Sequence, residues 1–170
     1  MIISVEDVKK FITTTEQDAV LEAKLQALEI LIRKHTNNNF QDRRYRSTGE
    51  VSGNILRCAN SVLFRSGDTI MVDEDLVTIT DITGDSMTIS ESLLPKDECL
   101  ITKVVYPMDV KMGVVNMLKW DLENRDKVGI QSESLSRHSV TYFNMDGDNS
   151  SLGYPKSLTG FLKPYMKARF

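Results

Sequence analysis

The chain has 170 residues, of which 41% are hydrophobic and 26% are charged, and its formal net charge is −3. This composition excludes a fibrous or wholly disordered protein, and the surplus of acids disfavours non-specific nucleic-acid binding as the main task. The first residues lack the basic start and apolar run of a secretion signal, and no stretch approaches the ~20 apolar residues that cross a bilayer. We therefore expect a soluble protein that stays inside the cell.

Two helices are predicted near the amino terminus. Ser4 followed by Asp7 is typical of a helix start, and a short helix to about Ile12 follows. Apolar residues then recur at spacings of four, three and four, which predicts one face of a long amphipathic helix. Those residues are Leu21, Leu25, Leu28 and Ile32. The asparagines at 37–39 end this helix, because asparagine tolerates left-handed backbone geometry.

The middle of the chain has a different character. From about Arg46 to Tyr106, threonine, valine and isoleucine are dense and short apolar runs alternate with Gly- and Asp-containing turns. At least four strands are predicted, at 64–72, 76–80, 87–89 and 100–105. The tight links at 73–75 and 83–85 suit hairpins, so these strands should pair as an antiparallel meander.

The helical pattern returns after Pro107. A helix is predicted over 108–128, a short strand over 140–143, and a last helix opening at Pro155. The sequence therefore predicts an α+β fold in which a helical domain of about four helices, residues 1–45 and 107–170, is interrupted by a small antiparallel β insertion, residues 46–106. The insertion is expected to be barrel-like or an open sheet.

No catalytic or metal-binding constellation stands out. The two histidines, His35 and His138, lie in no recognisable motif, and Cys58 and Cys99 lie far apart without the spacing of a zinc site. Glycine-rich phosphate loops are missing, and the acidic runs at 73–75 and 144–149 are interpreted as turns. We therefore expect no enzyme activity, no cofactor and no bound metal.

The most basic cluster is formed by Arg43, Arg44 and Arg46, with Tyr45 between them. Alternating basic and aromatic residues can hold a phosphate backbone while stacking on bases. A solvated link between a helix and a strand is a second interpretation. A third is pairing with acids of a neighbouring copy, because arginine suits ion pairs at interfaces.

Three stretches taken together suggest a family. They are residues 5–12 with 18–34 and 36–41; residues 107–111 leading into 117–122; and residues 129–142 with 153–158 and 162–165. In order and spacing they resemble the head-to-tail connector, or adaptor, proteins of long-tailed phages and prophages of Gram-positive bacteria. One departure is Arg137-His138, where the family usually has Gly followed by an acid.

The resemblance implies a helical connector domain that assembles into a dodecameric ring below the portal protein. That ring extends the DNA channel, passes DNA without sequence-specific binding, and receives the stopper or a tail-completion protein. The subunit would work by binding, without a membrane partner, in the host cytoplasm during assembly and then at the head–tail junction of the virion. The alternatives are a nucleic-acid-binding module that uses the β segment and the adjacent basic residues, and a stopper or tail-completion subunit.

Two sets of contact residues follow from this interpretation. Aromatic side chains beside cations are typical of docking segments, which predicts that the last residues meet the portal. The predicted portal-docking residues are Tyr165, Met166, Lys167, Arg169 and Phe170. The predicted inter-subunit residues are Arg43, Arg44, Arg46, Val140 and Tyr142.

Overall fold

The computed structural model describes residues 1–127, 132–135, 138–141 and 148–168. The chain divides into two compact units. The helical unit consists of Met1–Asn38 and Tyr106–Phe170, and the barrel unit consists of Asn39–Val105. The sheet therefore begins several residues before the change in composition near Arg46, because the polar residues that precede this change already belong to a strand.

In chain order the helices and strands are α1 (Val5–Lys9), α2 (Asp18–Thr36), β1 (Gln41–Cys58), β2 (Thr69–Val72), β3 (Asp75–Thr83), β4 (Ser86–Val104), α3 (Met108–Asn124), β5 (Ser132–Leu135), β6 (His138–Thr141), β7 (Ser150–Ser151), β8 (Tyr154–Pro155) and α4 (Lys156–Thr159). Short 3₁₀ turns lie at Ser61–Leu63, Arg125–Lys127 and Gly160–Tyr165. β5 pairs with β6 and β7 with β8, both antiparallel.

The predicted helix signals at the amino terminus are confirmed, although α1 ends at Lys9 and not near Ile12. The Ser4 hydroxyl accepts the N–H of Asp7 at 3.1 Å and so caps α1. The four predicted apolar residues of α2 are all buried. Asn37 has φ 49°, in the left-handed region, and ends α2.

The core of the helical unit is built on one face of α3. Its fully buried side chains are Val110, Val114, Met117 and Leu118. Gly113 lies on the same helix, and a Cβ atom there would lie 2.2 Å from the ring of Phe161. The absence of a side chain at Gly113 therefore lets the carboxyl-terminal 3₁₀ turn pack closely on α3.

In the barrel unit the sheet closes on itself. β4 pairs with β3 through residues 86–89 and with β2 through residues 101–103, and β2 pairs with β3. β1 pairs with β4 along nearly its whole length. The closed sheet encloses the apolar core, which includes Leu56, Ile70, Ile79, Met87 and Ile101. The predicted hairpin turns between β2 and β3 and between β3 and β4 are confirmed.

The predicted fold class is wrong about the relative importance of the helices and the sheet. Within the described residues the fold is α+β with four helices, but the four-stranded antiparallel sheet is the dominant core and not a small insertion in a helical domain. β1 and β4 have 18 and 19 residues, as long as α2 with 19. The sequence understated both strands because their exposed faces are polar, and because Pro95 interrupts the apolar pattern of β4 at an irregularity in the ladder.

Candidate docking surfaces

The predicted portal-docking residues begin at the end of the last 3₁₀ turn. The hydroxyl of Tyr165 donates to both carboxylate oxygens of Asp109, at 2.8 and 2.7 Å, at the start of α3. This contact raises the pKa of Tyr165, because the neighbouring carboxylate disfavours the phenolate. Met166 and Lys167 follow with exposed side chains. Arg169 and Phe170 lie outside the described residues.

Hydrogen bonds that involve its backbone hold this segment on the end of α2. The Lys167 N–H donates to the carbonyl of Thr36 at 2.8 Å, which supplies a donor to a helix end that has none of its own. The side-chain amide of Asn37 donates to the carbonyl of Ala168 at 2.8 Å, and that of Asn38 to the carbonyl of Tyr165 at 3.1 Å. The asparagine run therefore both ends a helix and binds the carboxyl-terminal segment.

Two exposed methionines flank the contact between Tyr165 and Asp109. Met108 precedes Asp109 and is 70% exposed, and Met166 follows Tyr165 and is 52% exposed. Methionine is flexible and adapts to irregular partner surfaces. Together with the exposed Lys167, these side chains form what we call the methionine surface. Its chemistry suits a partner that offers an apolar groove with acidic neighbours.

A second cluster in the helical unit is structural. The guanidinium of Arg125 lies 5.0 Å from the Trp120 ring centre and 4.8 Å from that of Tyr154. It donates to Asp121 at 2.7 Å and to the carbonyl of Gly153 at 3.1 Å. The hydroxyl of Tyr154 donates to Asp121 at 2.7 Å, and burial together with this carboxylate raises the pKa of Tyr154. These contacts hold residues 153–155, the Gly-Tyr-Pro segment, against the carboxyl-terminal end of α3.

The predicted inter-subunit arginines lie on β1. Gln41 pairs with Val104, but the next pair joins Arg46 to Thr102, so β1 carries three extra residues between the two pairs. We call residues 42–46 the arginine bulge. A bulge of this kind redirects side chains out of the ladder. The sequence interpretation of this segment as a solvated link between a helix and a strand is wrong, because the segment is part of the sheet.

Local contacts shape the arginine bulge. The carboxylate of Asp42 accepts the backbone N–H of Arg44 at 3.1 Å and its guanidinium at 2.8 Å. These bonds lower the pKa of Asp42. The ammonium of Lys103 lies 5.4 Å from the Tyr45 ring centre. Arg43 and Arg46 are exposed, and neither forms an ion pair with any described residue.

The other two predicted inter-subunit residues are far from the arginine bulge in sequence. Val140 lies in β6, where its backbone is opposite Glu133 of β5. Tyr142 lies outside the described residues. The structure therefore does not bring the five predicted residues together into one described site.

An acidic groove of about 380 Å³ was not predicted from the sequence. β1 folds back on itself here, because the Ala59 N–H donates to the carbonyl of Thr48 at 3.1 Å. The charged residues that line the groove are Glu50, Arg57, Asp85, Asp97 and Glu98. Glu50 pairs with Arg57 at 3.0 Å, while the other three acids form no ion pair within the described parts of the chain. The only hint of this groove in the sequence was the adjacent acids Asp97 and Glu98. That Asp85 lies beside them depends on how the strands pair, which the sequence does not show.

The residues suited to chemistry are dispersed. Within the described ranges there is no group of three or more His, Cys, Asp or Glu side chains that could hold a metal ion. Cys58 and Cys99 are both buried and form no disulfide, and burial raises the pKa of Cys99. None of the described helices is long and apolar enough to cross a membrane. The arrangement offers surfaces for binding, formed by charge and exposed apolar groups.

The chain matches no protein-family model, and no curated protein is significantly similar to it.

Proposed function

We propose that the chain is a structural subunit of the head-to-tail connector ring of a tailed bacteriophage or prophage. The subunit docks below the portal protein, extends the DNA channel as one member of a dodecameric ring, and receives the stopper or tail. Its work is binding and not turnover. One observation carries the proposal: residues from the three stretches that resemble adaptor proteins contact one another in the helical unit.

The contacts join all three stretches. Asn38, from the first, donates to the backbone of Tyr165, from the third. Asp109 and Asp121, from the second, accept the hydroxyls of Tyr165 and Tyr154. These contacts are what a helical connector domain built from the three stretches would need. They hold the carboxyl-terminal segment in a fixed place against the end of α2 and the start of α3.

The methionine surface is the portal-docking element of this proposal. Its exposed side chains lie where the carboxyl-terminal segment is anchored to both α2 and α3. An anchored segment loses little conformational entropy on binding, which favours affinity. DNA in the channel meets a chain of formal net charge −3, which suits passage and disfavours tight binding.

Deletion of the gene from the phage or prophage that carries it tests the proposal. We expect DNA-filled heads and free tails that do not join, and restoration of particles by the wild-type gene. Complementation with the double variant Met108→Asp/Met166→Asp should fail, although the variant protein melts normally. Ile30→Asp is the matched control, because Ile30 is an equally exposed apolar residue of the helical unit at 52%.

Three results would contradict the proposal. Infectious particles formed without the gene would exclude a connector. Heads that carry a complete ring but leak DNA would instead indicate a stopper. Normal joining by the Met108→Asp/Met166→Asp variant would show that the methionine surface does not meet the portal.

A further inference from the structure

We propose that neighbouring barrel units contact each other head to tail, with the arginine bulge of one copy bound in the acidic groove of the next. This inference rests on the proposed ring, and it names the surfaces through which the barrel units join. The occupant of the groove is therefore a second copy of this chain.

The arginine bulge presents positive charge that the copy itself does not neutralise. Arg44 is held by Asp42, but Arg43 and Arg46 are exposed and form no ion pair with a described residue. Between Gln41 and Arg46 the regular pairing of β1 with β4 is interrupted. Such irregularities re-aim side chains away from the regular ladder.

The acidic groove presents the opposite charge. Asp85, Asp97 and Glu98 line it without forming ion pairs to described residues, while Glu50 is already paired with Arg57. Arginine is the cation best suited to this site, because its planar guanidinium can bind a carboxylate through two parallel hydrogen bonds. Two free arginines of one copy therefore match three free acids of another.

The charge of the barrel unit favours a second copy over nucleic acid. Residues 39–105 contain eleven acids and seven bases, so the unit as a whole repels a phosphate backbone. The unpaired acids of the groove attract the arginine bulge of a neighbour at short range. Electrostatic complementarity of this kind selects the partner and fixes its register.

The two surfaces consist of different residues of the same barrel unit. The arginine bulge lies beside the pair Gln41–Val104, whereas the acidic groove lies where Thr48 meets Ala59. A contact between two different surfaces of the same chain is heterologous and generates rings when the rotation closes. A contact between identical surfaces would stop at a dimer.

Disulfide trapping of the full-length chain tests the geometry. The variant Arg46→Cys/Glu98→Cys should give a ladder of cross-linked species on mild oxidation, because each copy offers both partners of the contact. The single variants Arg46→Cys and Glu98→Cys should give no species beyond a dimer. Cys58 and Cys99 are buried and present in every variant, so they serve as a common background. A double variant that gives no ladder would overturn the inference.

Charge reversal tests the energetics in concentrated protein by sedimentation. Arg43→Glu/Arg46→Glu should weaken self-association by about tenfold or more, since two exposed ion pairs are lost and repulsion is added. Asp97→Lys/Glu98→Lys should do the same, and a mixture of the two variants should associate again. Arg65→Glu is the control, because Arg65 is an exposed arginine of the barrel unit outside the bulge.

The remaining outcomes decide against the inference. Unchanged association of Arg43→Glu/Arg46→Glu would overturn it, and so would a loss of affinity for duplex DNA in that variant, which would assign the arginine bulge to nucleic acid. If Arg43→Glu/Arg46→Glu still joins heads to tails and no ladder forms, the proposed connector function stands and only this contact is excluded. Particles that assemble without the gene would instead exclude the connector function.

Discussion

Replacing tyrosine by phenylalanine at three positions should destabilise the protein to different degrees. The loss of stability should increase with the burial of the carboxylate that the tyrosine hydroxyl binds. Tyr106, Tyr154 and Tyr165 each donate a hydroxyl hydrogen bond to a carboxylate, at 2.7 to 2.8 Å. Tyr106 is 6% exposed and its acceptor, Glu29, is 4% exposed. Tyr165 instead binds Asp109 near the surface. Tyr154 is just as buried, at 4%, but its acceptor Asp121 is partly exposed. The same chemical change therefore removes a similar bond from a buried, a partly exposed and an exposed carboxylate.

The size of each loss in stability depends on the carboxylate that no longer receives the tyrosine hydrogen bond. A hydrogen bond to a buried charged group contributes about 1.5–3 kcal/mol, and a carboxylate that loses it cannot turn to water instead. Tyr106→Phe should lower the free energy of unfolding by that amount. Tyr154→Phe should cost less, because Asp121 is partly exposed and keeps its bonds to Arg125, whereas Glu29 is buried and keeps the ion pair with the Met1 ammonium at 3.2 Å. Tyr165→Phe should be nearly neutral, because water can replace the lost donor.

Urea titration followed by far-ultraviolet circular dichroism measures this series. The slope should stay constant across the three variants while the midpoint falls in the order Tyr165, Tyr154, Tyr106. The pKa of Tyr106 is raised by burial and by Glu29, so its folded form resists ionisation. The contribution of the Tyr106 hydroxyl to the free energy of unfolding is fully present below pH about 10 and is lost as pH rises above that value. Tyr106→Phe should remove that part of the alkaline loss.

Two results would refute this reasoning. A neutral Tyr106→Phe variant would mean that Glu29 does not depend on the tyrosine. An equal loss at Tyr165 and Tyr106 would mean that burial does not set the size of the effect.

Three further predictions concern other parts of the chain. Gly49→Ala should destabilise the barrel unit by about 1–3 kcal/mol or more, because its Cβ would lie 2.1 Å from the Arg57 carbonyl oxygen; loss of cooperative β-sheet unfolding would show it. Hydrogen bonds from Lys96 and from the Leu100 N–H lower the pKa of Asp73, so the contribution of Asp73 to stability is lost as pH falls below about 4. In Asp73→Asn the free energy of unfolding should therefore depend less on pH in that range. Arg125→Lys should shift the emission of the single tryptophan, Trp120, and an unchanged spectrum would contradict their stacking.

The sequence predicted the elements whose signals are local. The period of four, three and four in α2 required only that one helix face be buried, and the asparagine after it required only a left-handed turn. The hairpin turns near Asp73 and Gly84 were also visible, because both positions need positive φ, 52° and 59°. Each of these features depends on residues within a few positions of one another.

The sequence did not predict features that depend on pairing across the chain. β1 was missed before Arg46 because a strand with an exposed polar face and a bulge has no clear alternation. Residues 87–89 and 100–105 were predicted as separate strands, but 87–89 and 100–104 both belong to β4. The acidic groove and the anchoring of Tyr165 by Asn38 both join residues that are distant in sequence.

The most direct test of the central proposal is electron cryomicroscopy of the chain mixed with the portal protein encoded in the same genome. The account predicts a ring of twelve copies on the portal, coaxial with its channel, with Met108 and Met166 at the portal contact and Lys167 beside acidic portal residues. Light scattering of the chain alone provides the reference for assembly without the portal. A chain that does not bind the portal, or that binds it without forming a ring, would contradict the account.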